Sequence, residues 1–134
     1  MELMLIHTTS CKKCKAGNWS CKTVYVSVTG LKTKGFVGWL RFWILTIPAF
    51  RAAQKAEGCL FCEAKTLNGY HHTFTVWQDK ASMMKYRASP AHRKTMKVYS
   101  KVADHGKVYG YEANSIPSWA DALRGWQSNA RLIL

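Results

Sequence analysis

The chain has 134 residues, 48% of them apolar, and its 20 Lys+Arg outnumber 7 Asp+Glu to give a formal charge of +13. That length fits one domain of about 100–150 residues, and that apolar share excludes a disordered chain. No apolar run reaches the roughly 18 residues of a membrane-spanning helix, the apolar stretch from Met1 to Ile6 has Glu2 where a secretory signal has basic residues, and no nucleic-acid motif appears, so a cytoplasmic location is expected.

Residues 1–22 carry Cys11, Cys14 and Cys21 among Lys12, Lys13 and Lys15, without periodicity, and read as an irregular arm. Thr23 to Thr29 (TVYVSVT) is β-branched and aromatic and meets Gly30, which predicts a strand. Phe36 to Phe50 is almost wholly apolar, with Arg41 its only charge. Polar residues return at Arg51, Gln54 and Lys55, and Gly58 is a helix stop, so a helix over about 36–56 is expected, bent or broken at Pro48. Cys59 to Thr66 predicts a second strand, Asn68-Gly69 a hairpin turn, and His71 to Trp77 the returning strand. Asp79 caps a short helix over about 80–88. Ser89-Pro90 opens another that stops before Gly106. Lys107 to Ala113 reads as the last strand, and Ser118 caps a tail helix whose Trp119, Ala122, Leu123 and Trp126 fall at i, i+3, i+4 and i+7.

The order β-α-β-β-α-β is the split βαβ arrangement, an α+β ferredoxin-like fold with a four-stranded antiparallel sheet. The chain therefore divides into an arm (1–22), a ferredoxin-like domain (23–113) and a tail helix packed on it (114–134). Helices cover one face of such a sheet, yet both faces read as apolar here: Val24, Val26 and Val28 on one side, Tyr25 on the other. A sister sheet would cover the second face, which predicts a homodimer built as a dimeric α/β barrel. The long helix is apolar all round and also needs cover beyond one sheet, for which Trp119 and Trp126 of the tail helix are the expected source.

The helix WLRFWILTIPAFRAAQKAEG, the strand ending in Thr75-Val76-Trp77, and the helix pair DKASMMKYRASPAHRKTMK resemble the antibiotic-biosynthesis-monooxygenase-like dimeric α/β barrels. Among them the chain is most similar to uncharacterised relatives of spheroidene monooxygenase. The resemblance covers about residues 23–113, and Asp79 and the Ser89–Arg93 stretch carry it together with the TVW strand. It implies a superfamily of cofactor-free oxygenases, haem-degrading and haem-dependent enzymes, and proteins without an assigned reaction. The haem-degrading branch has an Asn, a Trp and a His at three positions. Here the first strand has no Asn, and Tyr86 and Met96 stand where the Trp and His would be, so that activity is not implied.

On a wheel of about 100° per residue, His92 falls on the apolar arc of its helix with Thr95, Met96, Val98 and Tyr99. That places it as a pocket histidine, a general base or, as the resemblance allows, an axial haem ligand, against the plainer reading of a hydrogen-bonded histidine at the core edge. Tyr86 and Trp77 would line the same pocket, with Trp39 and Trp43 as an apolar wall, Met96 beside them, and Arg87 or Arg41 as contacts for an anionic group. His71 and His72 are neighbours on a strand and point to opposite faces, so they cannot share one metal; they read as polar residues beside the turn. Cys11-x-x-Cys14 and Cys59-x-x-Cys62 could supply four thiolates to zinc, but Cys59 and Cys62 lie in a predicted strand, where i and i+3 diverge. Zinc is therefore not expected, and the thiols read as reduced and inert.

Three function classes follow. A small monooxygenase-like enzyme would oxidise a hydrophobic substrate in a pocket between sheet and helices. A non-catalytic protein would hold a hydrophobic small molecule in the same place. A basic surface would bind nucleic acid or an anionic membrane.

Overall fold

The computed structural model describes residues 23–133, and the secondary structure runs β1 (Val24–Thr33), α1 (Gly35–Lys55), β2 (Cys59–Leu67), β3 (Tyr70–Trp77), α2 (Lys80–Arg87), α3 (Pro90–Val102), β4 (Ala103–Ala113), α4 (Trp119–Asn129), β5 (Arg131–Leu132). Local chemistry sets most of these boundaries. Asn68 and Gly69 both adopt positive φ (51° and 80°), as the tight turn between β2 and β3 requires. Side chains of Asp79, Ser89 and Ser118 accept hydrogen bonds from the backbone N–H groups of Ser82, His92 and Asp121, satisfying donors at the starts of α2, α3 and α4. Pro48 does not end α1. It lies on the exposed side, while Thr46, Ala49, Phe50 and Ala53 around it are buried and hold the helix together.

The sheet has the order β2-β3-β1-β4-β5, antiparallel throughout. Its first four strands are those of the ferredoxin-like arrangement, and β5 is a short addition that pairs Leu132 with Lys107 at the β4 edge. β4 begins at Ala103 rather than Lys107. The Lys34 N–H donates to Val102 O at 2.8 Å, and pairing then continues from Thr33–Ala103 through Leu31–Gly106, so the sheet takes up residues that look like a helix stop in sequence.

One face of the sheet carries α1, α2 and α3. Phe50, Ala53, Cys59, Cys62, Ala64 and Trp77 form one buried cluster there, and Leu31, Phe42, Trp43, Val102 and Ala103 another. The second face carries α4: Ala122 and Trp126 pack on Val24, Val26, Val28, Phe74 and Val76. Gly30 permits the close approach, since a Cβ there would stand 2.4 Å from the Trp126 ring. The Trp126 indole donates to Lys107 O at 3.1 Å, and Trp119 donates to Glu63 and meets Phe74 edge-on at 5.1 Å.

One expectation changes as a result. Trp119 and Trp126 do not cover α1; they lie on the opposite side of the sheet, because the valine face offers them an unbroken apolar floor. That floor is roofed by the chain's own helix, and Val26, Val28 and Val76 are 0% exposed. A face-to-face barrel would first have to displace α4.

Candidate functional site

The expected pocket residues separate into two groups. Trp77, Tyr86 and His92 are brought together: Tyr86 stacks on Trp77 with ring centroids 5.3 Å apart and meets His92 edge-on at 5.3 Å. Tyr86 also donates to Ala49 O at 2.8 Å, and Trp77 Nε1 donates to Thr75 Oγ1 at 2.9 Å, so α1, α2, α3 and the sheet are fastened through this stack. Burial pushes the Tyr86 phenol well up and the His92 imidazole down, although a hydrogen bond from His92 to the Arg87 backbone opposes the latter. Trp39 and Trp43 belong to the other cluster, around Phe42. Arg87 and Arg41 are exposed and Met96 is half-buried. The Tyr86 ring lies against both Trp77 and His92.

His71 and His72 do point to opposite faces, but neither is a solvated turn residue: they are 7% and 4% exposed. His71 stacks on Phe42 at 4.8 Å and shares a 2.8 Å hydrogen bond with Thr66. His72 lies edge-on to Trp126 at 4.7 Å, and its Nδ1–H donates to Thr29 O at 3.2 Å. Burial lowers the proton affinity of both.

The Cys59–Cys62 reading needs correction. The register with β3 slips between Cys59 and Phe61, leaving Leu60 as the extra residue of a β-bulge. The bulge shifts the alternation by one, so both sulfurs face Trp77 and Phe50 instead of diverging. The Cys62 thiol hydrogen-bonds to Cys59, which pushes Cys62 up, helped by burial, and Cys59 down. Cys11, Cys14 and Cys21 lie outside the described residues. Among the described residues no three His, Cys, Asp or Glu side chains converge to hold a metal.

On the α4 side the structure assembles a group that the strand-by-strand reading missed. A cleft of about 270 Å³ opens between the β2–β3 turn and α4, lined by Leu67, Tyr70, His72, Leu123, Trp126 and Gln127. The Tyr70 hydroxyl is 2.7 Å from His105 Nε2, and His105 Nδ1 is 2.9 Å from Asp104 Oδ2. With the neutral imidazole, Nδ1–H donates to the carboxylate and Nε2 accepts from Tyr70, which gives a continuous chain Tyr70–His105–Asp104. The hydrogen bond from His105, with Lys32 and Lys34 nearby, holds the Asp104 carboxyl below its ordinary range. The signal for this group was parity. Once β4 is extended to Ala103, His105 shares a sheet face with Lys107 and Tyr109, and Tyr70 shares that face with His72 and Phe74. A second cleft, about 210 Å³, lies among Glu57, Gln78, Asp79 and Lys85; neither is lined by His92.

The fold, α+β with a ferredoxin-like sheet, is shared with solved structures described as candidate antibiotic biosynthesis monooxygenases. Solved structures of similar shape include a candidate antibiotic biosynthesis monooxygenase from Deinococcus radiodurans (16% identity, TM-score 0.61, covering 71% of this chain and 96% of that one). Another candidate of the same description, from Nitrosomonas europaea, is 7% identical at a TM-score of 0.61 and covers 69% and 90%. A conserved protein from Methanosarcina mazei is 16% identical at a TM-score of 0.62 and covers 68% and 93%. Identities this low speak for the fold alone. No family model and no curated protein matches the sequence. Among the described residues no helix is long and apolar enough to cross a membrane.

Proposed function

We propose that the protein is a monooxygenase-like enzyme that binds a small aromatic substrate in the cleft beneath α4 and begins its oxidation by removing a proton through Tyr70. The observation that carries this reading is the hydrogen-bonded chain Tyr70–His105–Asp104 ending at the wall of an apolar cleft. At about 270 Å³ the cleft lies just below the roughly 300–1,000 Å³ typical of ligand sites, which suits a molecule of one or two rings. Trp126 and Leu123 supply apolar walls, and Tyr70 and His72 supply the polar contacts.

The chemistry follows from the geometry. Tyr70 accepts a proton from the substrate as it passes its own to His105 Nε2, and the Asp104 carboxylate stabilises the imidazolium that results. The deprotonated substrate, now electron-rich, reacts with dioxygen. One oxygen atom enters the substrate and the other leaves as water, so a methylene becomes a carbonyl (RCH2R′ + O2 → RCOR′ + H2O). The candidate monooxygenases of the same fold support an oxidative reaction class, and the cleft supports an apolar substrate.

Oxygen uptake measured against a panel of aromatic phenols and activated methylene compounds tests the reading. Wild-type protein should exceed the protein-free rate. Tyr70→Phe and His105→Gln should each lower kcat by about 10²-fold or more, the usual worth of a positioned acid–base group. His92→Ala should leave the rate near that of wild type. Loss on His92→Ala with Tyr70→Phe unaffected would move the chemistry to the other face of the sheet. Stabilisation by a bound phenol without any oxygen uptake would replace the enzyme by a ligand-binding protein.

A further inference from the structure

The outward side of α1 carries a feature that neither the fold nor the cleft uses. Phe36, Val37, Leu40 and Ile44 are 74%, 63%, 46% and 64% exposed. Their spacing puts them on one side of the helix, over a ridge about 12 Å long at 1.5 Å per residue. Half of the large exposed apolar residues of the described chain are therefore gathered on about two turns of one helix. Singly exposed apolar side chains are ordinary, but a contiguous group marks a surface with a partner.

Cations frame the ridge. Lys34 stands at its start, Arg41 at its edge, and Arg51 and Lys55 continue the same exposed side toward the helix end. The end of α3 joins them, because Lys34 N–H is bonded to Val102 O and so brings Lys101 close. α1 itself contains no Asp or Glu.

From this arrangement we infer that the protein docks on anionic lipid bilayers, with α1 lying in the plane of the interface, its apolar ridge among the acyl chains and its cations among the headgroups. Charge decides between partners. A second copy placed ridge to ridge about a two-fold axis would bring the Arg41 of each copy into one contact, with no Asp or Glu on α1 to pair with them. A nucleic acid would satisfy the cations but leave the four apolar side chains with nothing to bury against. An anionic bilayer satisfies both. α1 is not apolar enough over its length to cross a membrane, which leaves lying on one. The inference does not depend on the catalytic reading of the cleft.

Co-sedimentation of the full-length chain with vesicles tests it, using phosphatidylcholine alone and phosphatidylcholine containing about one-third phosphatidylglycerol. The wild type should bind the anionic vesicles at least about tenfold more tightly than the neutral ones, and binding should weaken in high salt. Leu40→Glu/Ile44→Glu should reduce it by about tenfold or more while leaving the far-UV circular dichroism and melting temperature unchanged, since both side chains face solvent. A charge variant, Arg41→Glu/Arg51→Glu, should lower binding to anionic vesicles selectively. Absence of wild-type binding overturns the inference. So does binding that survives Leu40→Glu/Ile44→Glu, which would place the contact elsewhere in the chain. A wild-type dimer that becomes monomeric in that same variant, with no vesicle association, would assign the ridge to a second copy instead.

Discussion

At the scale of single residues, the imidazoles are the most consequential groups. His71, His72 and His92 are held neutral by burial, each below its ordinary value of 6.5. The unfolded chain therefore binds more protons than the folded one once the pH falls below that value. Their contribution to stability is complete above about pH 6.5 and is lost as the pH drops toward and through the folded values. Urea unfolding should show a lower midpoint at pH 5.5 than at pH 7.5, and His72→Gln should flatten part of that slope. A midpoint independent of pH over this range would contradict the packing described for the three rings. The thiols teach a different lesson. Counting residues along an ideal strand sends Cys59 and Cys62 to opposite faces, and one bulged residue, Leu60, reverses the result. Nothing in CLFCEAKT announces a bulge, because it arises from how β2 is accommodated beside β3.

At the scale of elements, what was legible was local. The Asn68-Gly69 turn and the caps at Asp79, Ser89 and Ser118 depend on residues within a few positions of one another, and the structure has each where the pattern put it. What escaped depends on contacts far apart in the chain. Tyr70 and His105 meet across 35 residues, β4 gains its first residues only because β1 is there to pair with them, and β5 has two residues and little pattern to detect. The site expected between sheet and helices contained true neighbours, Trp77, Tyr86 and His92, which the structure brings into one stack. Helix α4 shows the same limit: its amphipathic spacing was plain, yet the spacing does not say which surface it will choose. Trp126 is the residue that fixes the choice, through the Gly30 gap, the ring of His72 and the Lys107 carbonyl. Trp126→Ala should cost about 3–5 kcal/mol by chemical denaturation, the usual range for removing a buried Trp. A loss near zero would mean that α4 is held chiefly elsewhere.

At the scale of the whole molecule, two apolar surfaces need explaining, and they have different fates. The valine face of the sheet is sealed by α4. Ala122 sits at the centre of that seal with no exposed surface. Ala122→Arg should lift α4 and bare the valines. The full-length variant should then associate in a concentration-dependent way by light scattering, whereas the wild type should not associate through this face. A variant that melts like the wild type and does not associate would show that α4 is no roof. The ridge on α1 is left open, and it sits on the opposite side of the sheet from the cleft. Docked by α1, the molecule would present Tyr70 and Trp126 away from the bilayer.

The seal has one more consequence. Helix α4 is joined to β4 only by residues 114–118, so it reaches its own sheet at an effective concentration far above that of any neighbouring chain. A rival surface must therefore compete with a ligand that never diffuses away. The least costly way for two chains to join through this face is to trade tails, each helix closing over the other's strands and recreating every contact it gave up.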